Sequence, residues 1–108
     1  MDEQEFYKRA DEALSDLYKL LSRAADDGGF EPDFNNGALS IEFDDEPARF
    51  VVSPNSPVRQ IWVSARSKSY KLDWNQQRGA FILPETGATL TELIEDAIGQ
   101  QLGREVNL

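Results

Sequence analysis

The hydrophobic pattern of this chain predicts an α+β fold: a two-layer α/β sandwich with two helices packed on one face of an antiparallel sheet of about six strands. Three observations predict it. A helical period fills the start of the chain and returns near its end. Between these stretches the period falls to two, and the junctions carry glycine, proline, asparagine and aspartate. With 108 residues there is room for one domain, 1–108, and one core.

Residues 4 to 25 read as an amphipathic helix, because Phe6, Ala10, Ala13, Leu14, Leu17, Leu21 and Ala24 recur at three- and four-residue spacing. Asp2, Glu3 and Glu5 sit at its positive end, and Asp26-Asp27-Gly28-Gly29 stops it. After a turn at Asn35-Asn36-Gly37, Leu39, Ile41 and Phe43 alternate with Ala38, Ser40 and Glu42. Asp44-Asp45-Glu46-Pro47 turns the chain into a strand at Arg49 to Ser53. Ser53-Pro54-Asn55-Ser56-Pro57 breaks the pattern, since two prolines so close do not both fit a central strand. Val58 to Ala65, Ser69 to Trp74 and Ala80 to Leu83 are further strands, the last two joined by Asn75-Gln76-Gln77-Arg78-Gly79. Thr89-Leu90-Thr91-Glu92 is a capping box. It opens a second helix with Leu90, Leu93, Ile94, Ala97, Ile98 and Leu102 on one face and Gly103 at its end. Two one-sided helices flanking a meander cover the same face of the sheet, which leaves the other face bare.

Charge is divided unevenly. The first 46 residues hold fourteen acids and four cations, a formal charge of −10, and the remainder carries +1. Such asymmetry points to hard cations or a basic protein surface as partners, and away from nucleic acid and anionic membranes. Cysteine and histidine are both absent. That excludes disulfides, thiolate nucleophiles, zinc knuckles and the commonest general base. Any metal must be held by oxygen, which suits hard ions such as Mg²⁺, Ca²⁺, Mn²⁺ or Fe³⁺. The acidic N-terminus is neither a signal nor a transit peptide, and no apolar run is long enough for a membrane span. The expectation is a cytoplasmic protein, monomeric by default. No phosphate loop, dinucleotide fingerprint or activated serine is present.

The bare face is the informative one. In Val58 to Ala65, alternation puts Ile61, Val63 and Ala65 on one side and Val58, Gln60, Trp62 and Ser64 on the other. The small branched set suits a helix-covered core, so Trp62 faces outward, where an indole is a typical interface anchor. The competing expectation is that Trp62 packs on neighbours such as Arg49 or Trp74 and simply caps the sheet.

Asn55, Gln60-Ile61-Trp62-Val63-Ser64 and Tyr70-x-x-Asp73-Trp74, in that order, resemble the frataxin family in its bacterial branch. So do Glu5-Phe6-x₃-Ala10-Asp11, Asn36-Gly37-x-Leu39 and Leu90-x₂-Leu93-Ile94, and the likeness spans nearly the whole chain. The resemblance implies a small iron-binding accessory protein of iron–sulfur cluster assembly, acting on the cysteine desulfurase and its scaffold protein as iron donor, sensor or regulator. By match to the family motif, Asn55, Gln60, Ile61, Trp62 and Ser64 form the surface that meets those partners. A mitochondrial matrix location follows instead if the chain is a processed eukaryotic form.

The resemblance also implies weak, exposed binding of Fe²⁺ or Fe³⁺ by carboxylates of the first helix and an adjoining edge strand, with metal-dependent oligomers as a further property and no organic cofactor. Carried onto this chain, the iron ligands are Glu3, Asp11, Glu12, Asp16, Asp26, Asp27, Glu31 and Asp33. The chain departs from the family pattern at Tyr18, Lys19, Ser22 and Arg23, where acids are typical, and at Tyr7, where bacterial relatives often carry histidine. Helical spacing lets Lys19 pair with Asp16 and Lys8 with Glu12, which neutralises part of the ridge. Each acid also has a plainer role: Glu3 as a first-turn acid, Asp44-Asp45-Glu46 as turn formers, Glu92, Glu95 and Asp96 as dipole partners and solvated face. Two alternatives stand beside the iron-donor reading: a purely allosteric regulator with vestigial iron binding, and a ferroxidase.

Overall fold

Asp2 starts the first helix, because its side chain accepts a hydrogen bond from the Glu5 N–H at 2.8 Å and so satisfies one of the free donors of the first turn. In this computed structural model, which describes residues 1–45 and 47–108, the helix α1 spans Glu3–Ala24. Phe6, Ala10, Leu14, Leu17 and Leu21 form its buried stripe. A short 3-10 turn, Ala25–Asp27, tightens the exit before Gly28 and Gly29 reverse the chain at positive φ.

Six strands follow: β1 Phe30–Asn35, β2 Ala38–Phe43, β3 Arg49–Asn55, β4 Gln60–Ala65, β5 Lys68–Asn75 and β6 Ala80–Ile82. They form one antiparallel meander in chain order. The hairpin between β1 and β2 turns at Asn36 and Gly37, both at positive φ, as the Asn-Gly signal requires. The last helix, α2, spans Leu90–Leu102, with the predicted capping box formed in both directions and Gly103 left-handed at its end.

Both helices cover the same face. Inward residues of every strand, Leu39, Ile41, Phe50, Val52, Ile61, Val63, Leu72 and Phe81 among them, meet Phe6, Leu14, Leu17, Leu21, Ile94 and Ile98 in one core. The thinnest dimension, 23 Å, matches one helix layer on one sheet. The tail returns to this layer: Val106 is buried, and the Leu108 N–H donates to Glu95 Oε2 at 2.8 Å. Among the described residues, no helix is long and apolar enough to cross a membrane.

The structure corrects the expected strand limits. β1 adds to the strands that alternation predicts, because Glu31-Pro32-Asp33 is a poor strand sequence. It is tolerated at the sheet edge, where only one side of the strand needs donors. The strand β3 continues through Pro54 to Asn55. Its pairing with β2 stops at Val52, so Pro54 has a neighbour on one side only. Val58 lies outside β4, in the 3-10 turn Ser56–Val58, and left-handed Arg59 then leads into β4. Of the turn at Asp44-Asp45-Glu46-Pro47, Glu46 lies outside the described residues.

Candidate functional site

The helix-free face of the sheet is built in rows by the strand register. Asn55, Gln60 and Asp73 form one row, Ser53, Trp62 and Lys71 the next, and Val51, Ser64 and Ser69 a third. A shallow groove runs among Val51, Ser53, Trp62, Ser64, Ser69 and Lys71. Trp62 rises from these small neighbours with 38% of its surface exposed. Its indole Nε1 donates to Gln60 Oε1 at 3.0 Å, and Gln60 Nε2 donates to Asp73 Oδ1 at 2.9 Å. The Lys71 ammonium stands 5.0 Å from the ring centroid, within cation–π range.

This placement removes the two neighbours named for a capping role of Trp62. Trp74 belongs to the other face, where it packs on Phe81 and lies under Arg9 of α1. Arg49 pairs with Glu42, one row beyond Val51 and away from Trp62. Trp62 therefore caps neither residue. One member of the expected docking set is withdrawn from the surface: the Ile61 side chain is fully buried. The reason is the strand's two-residue period, which puts Ile61 under the helices if Trp62 faces out. Asn55, Gln60, Trp62 and Ser64 share the open face, joined by Lys71 and Asp73 from β5.

The eight expected iron-ligand residues divide into several groups. Glu3 lies in the first turn of α1. Asp11 lines a groove with Tyr7 beside the β1–β2 turn and Pro54. Glu12 and Asp16 line a different groove, on the side of β6 and the start of α2, with Arg9 and Trp74. The split follows from helical geometry, since residues one apart point about 100° apart. Asp26 and Asp27 occupy the 3-10 turn, and Glu31 and Asp33 are exposed on edge strand β1. On α1 the ion pair among the described residues is Arg9 Nε with Glu5 Oε2 at 4.0 Å, in place of the Lys8–Glu12 and Lys19–Asp16 pairs expected from spacing. Tyr18 stacks edge-on against Phe34 of β1 with centroids 6.2 Å apart.

The register adds an acid that strand alternation alone did not single out. Glu42 of β2 sits directly opposite Glu31, and Arg49 sits on its other side. Alternation with Ile41 and Phe43 places Glu42 on the outward face, and only the pairing with β1 brings it to Glu31. Among the described residues no three carboxylates gather into a preformed cation site. Glu92 holds its carboxylate below the ordinary pKa by accepting from the Thr89 backbone N–H and side chain, which identifies it as a cap.

Comparison with known proteins agrees with the architecture. The family model described as a frataxin-like domain matches residues 1–104. An iron-sulfur cluster assembly protein CyaY from Azotobacter vinelandii is 29% identical over 100 residues, covering 91% of this chain and 90% of that protein. The protein of the same name from Tolumonas auensis is 30% identical over 93 residues, covering 84% and 86%. Among solved structures, frataxin from Psychromonas ingrahamii superposes with a TM-score of 0.77 at 21% identity, covering 99% of this chain and 97% of its own. Yeast frataxin gives 0.71 at 17% identity, covering 93% and 82%. These two show the shared fold. With the domain match running through both helices and all six strands, the chain belongs to the frataxin-like family.

Proposed function

We propose that this protein is an iron-binding accessory protein of iron–sulfur cluster assembly, working by binding to the cysteine desulfurase–scaffold complex. The observation that carries the proposal is Trp62, exposed at the centre of a helix-free sheet face in a chain whose relatives are named cluster assembly proteins. Small serines around the indole let a partner approach the ring closely, and such aromatic anchors supply much of the energy of an interface. The acidic edge has the complementary task. Glu31, Asp33 and Glu42, with Asp26 and Asp27 at the exit of α1, present exposed oxygen donors that suit hard cations or a basic protein patch. Iron here is cargo, and open carboxylates bind it loosely enough to release it.

A pull-down of the desulfurase–scaffold complex, with and without iron, tests the docking half. Trp62→Ala is expected to abolish capture, and undiminished capture would remove the docking role. For the iron half, Fe²⁺ titration should shift the amide resonances of Asp26, Asp27, Glu31 and Asp33. A silent titration would discard it. The second reading, a purely allosteric regulator, is favoured by the Tyr18–Phe34 pair. That pair occupies with aromatic rings the mid-helix position where iron-binding relatives are expected to carry acids. It predicts that iron leaves capture and desulfurase regulation unchanged.

A further inference from the structure

Docking through an exposed indole does not by itself require the polar chain attached to Trp62. Of the ring's outward neighbours, Val51, Ser53, Ser64 and Ser69 are too small to lock its rotamer by packing, and Lys71, directly opposite, is a long flexible chain. A ring free to swing would lose that freedom on binding, at a cost in affinity. Two hydrogen bonds supply what packing does not. Trp62 Nε1 can only donate, and it does so to Gln60 Oε1 at 3.0 Å. Asp73 lies at the other end of this hydrogen-bonded series, where its carboxylate oxygen accepts from Gln60 Nε2 at 2.9 Å. A donor-only group at one end and an accepting oxygen at the other leave the Gln60 amide one orientation. Strand register builds the arrangement: Asp73 is directly opposite Gln60, and Lys71 is directly opposite Trp62, its ammonium over the ring.

Resting on the docking role above, we propose that Asp73 is a positioning residue. Acting through Gln60, it sets the orientation of the Trp62 indole before the partner arrives, so that the face is preorganised. Asp73 is exposed and its side chain lies outside the core, so the variants below are expected to fold.

Nitrogen–proton correlation spectra of the free protein test the first step, because the two indoles report separately. The Trp74 Nε1 donates to Gln76 Oε1 at 3.1 Å on the helix-covered side and serves as the control. Asp73→Ala is expected to shift the Trp62 indole resonance, speed its hydrogen exchange and leave the Trp74 resonance in place. It should also weaken binding to the desulfurase–scaffold complex about three- to tenfold, the cost of ordering one side chain at an interface. Asp73→Asn, whose carbonyl still accepts from Gln60, should restore both the resonance and the affinity. An unmoved Trp62 resonance in Asp73→Ala overturns the proposal. A shifted resonance with wild-type affinity overturns it too, while docking by Trp62 stands. If Trp62→Ala itself binds like wild type, the docking role fails first and the positioning role with it.

Discussion

Ile61 and Trp62 are adjacent in sequence and opposite in fate. The backbone alternates by two, so one side chain enters the core at 0% exposure while the next stands at 38% on the open face. Their substitutions should separate stability from binding. Ile61→Ala is expected to cost about 2–5 kcal/mol of unfolding free energy through the lost burial and the cavity left behind. Trp62→Ala should cost about 1 kcal/mol or less, because the ring packs on little, yet it should remove partner capture. Urea denaturation of both variants beside the pull-down checks this. Similar stability losses for the two would mean that Trp62 is more tightly packed than its exposure indicates.

Elements explain what single residues do not. The strand β1 holds an acidic, proline-containing sequence at an edge, where the N–H that Pro32 lacks and the charge both discourage another strand from adding on. The cross-strand pair Glu31–Glu42 repels itself, relieved in part by Arg49 opposite Glu42. Glu31→Lys is therefore expected to stabilise the fold by about 0.2–1 kcal/mol at low salt, with the gain shrinking as salt rises. Thermal melts at low and high salt measure it, and a loss of stability at low salt would contradict the repulsion. The helix α2 offers a pH test. Its capping carboxylate, Glu92, is held below the ordinary carboxylate range by the Thr89 N–H and hydroxyl. A lowered folded pKa contributes stability above the unfolded value and loses it as pH falls through the folded one. The stability gap between wild type and Glu92→Gln should thus be present at neutral pH and close in acid below the carboxylate range. Thr89→Ala, which removes the other half of the box, should cost about 1 kcal/mol near neutrality.

At the scale of the whole molecule, charge and anchor are carried by different parts of one sheet. Of the acids in the first 46 residues, the described ones lie on α1 and its N-cap, the turn after it, the β1–β2 edge and the start of the connection after β2, while Trp62 and Lys71 lie on β4 and β5. A partner that meets both would feel long-range attraction to one end and short-range burial at the other. Neutralising Asp26 and Asp27 together as Asn should weaken association about two- to tenfold at low salt, with the variant and wild type converging as salt screens the field. Affinity measured across a salt series checks this. Identical salt slopes for the two proteins would exclude the acidic end from the encounter.

Local periodicity by itself determined much of this protein. Helix, meander and helix, the capping box at Thr89, the turn at Asn36-Gly37 and the outward placement of Gln60, Trp62 and Ser64 all follow from short-range patterns. Such patterns are set within a turn or a few residues of strand, so they are legible before the chain folds. Pairing across the sequence is decided only when the chain closes on itself. Tertiary structure admitted Glu31-Pro32-Asp33 as an edge strand and set Glu42 against Glu31. It also brought Asp73 beside Gln60, thirteen residues away, and so tied the orientation of Trp62 to a neighbouring strand. The physical reason is the same in each case: alternation says which face a side chain takes, and register alone says what stands beside it.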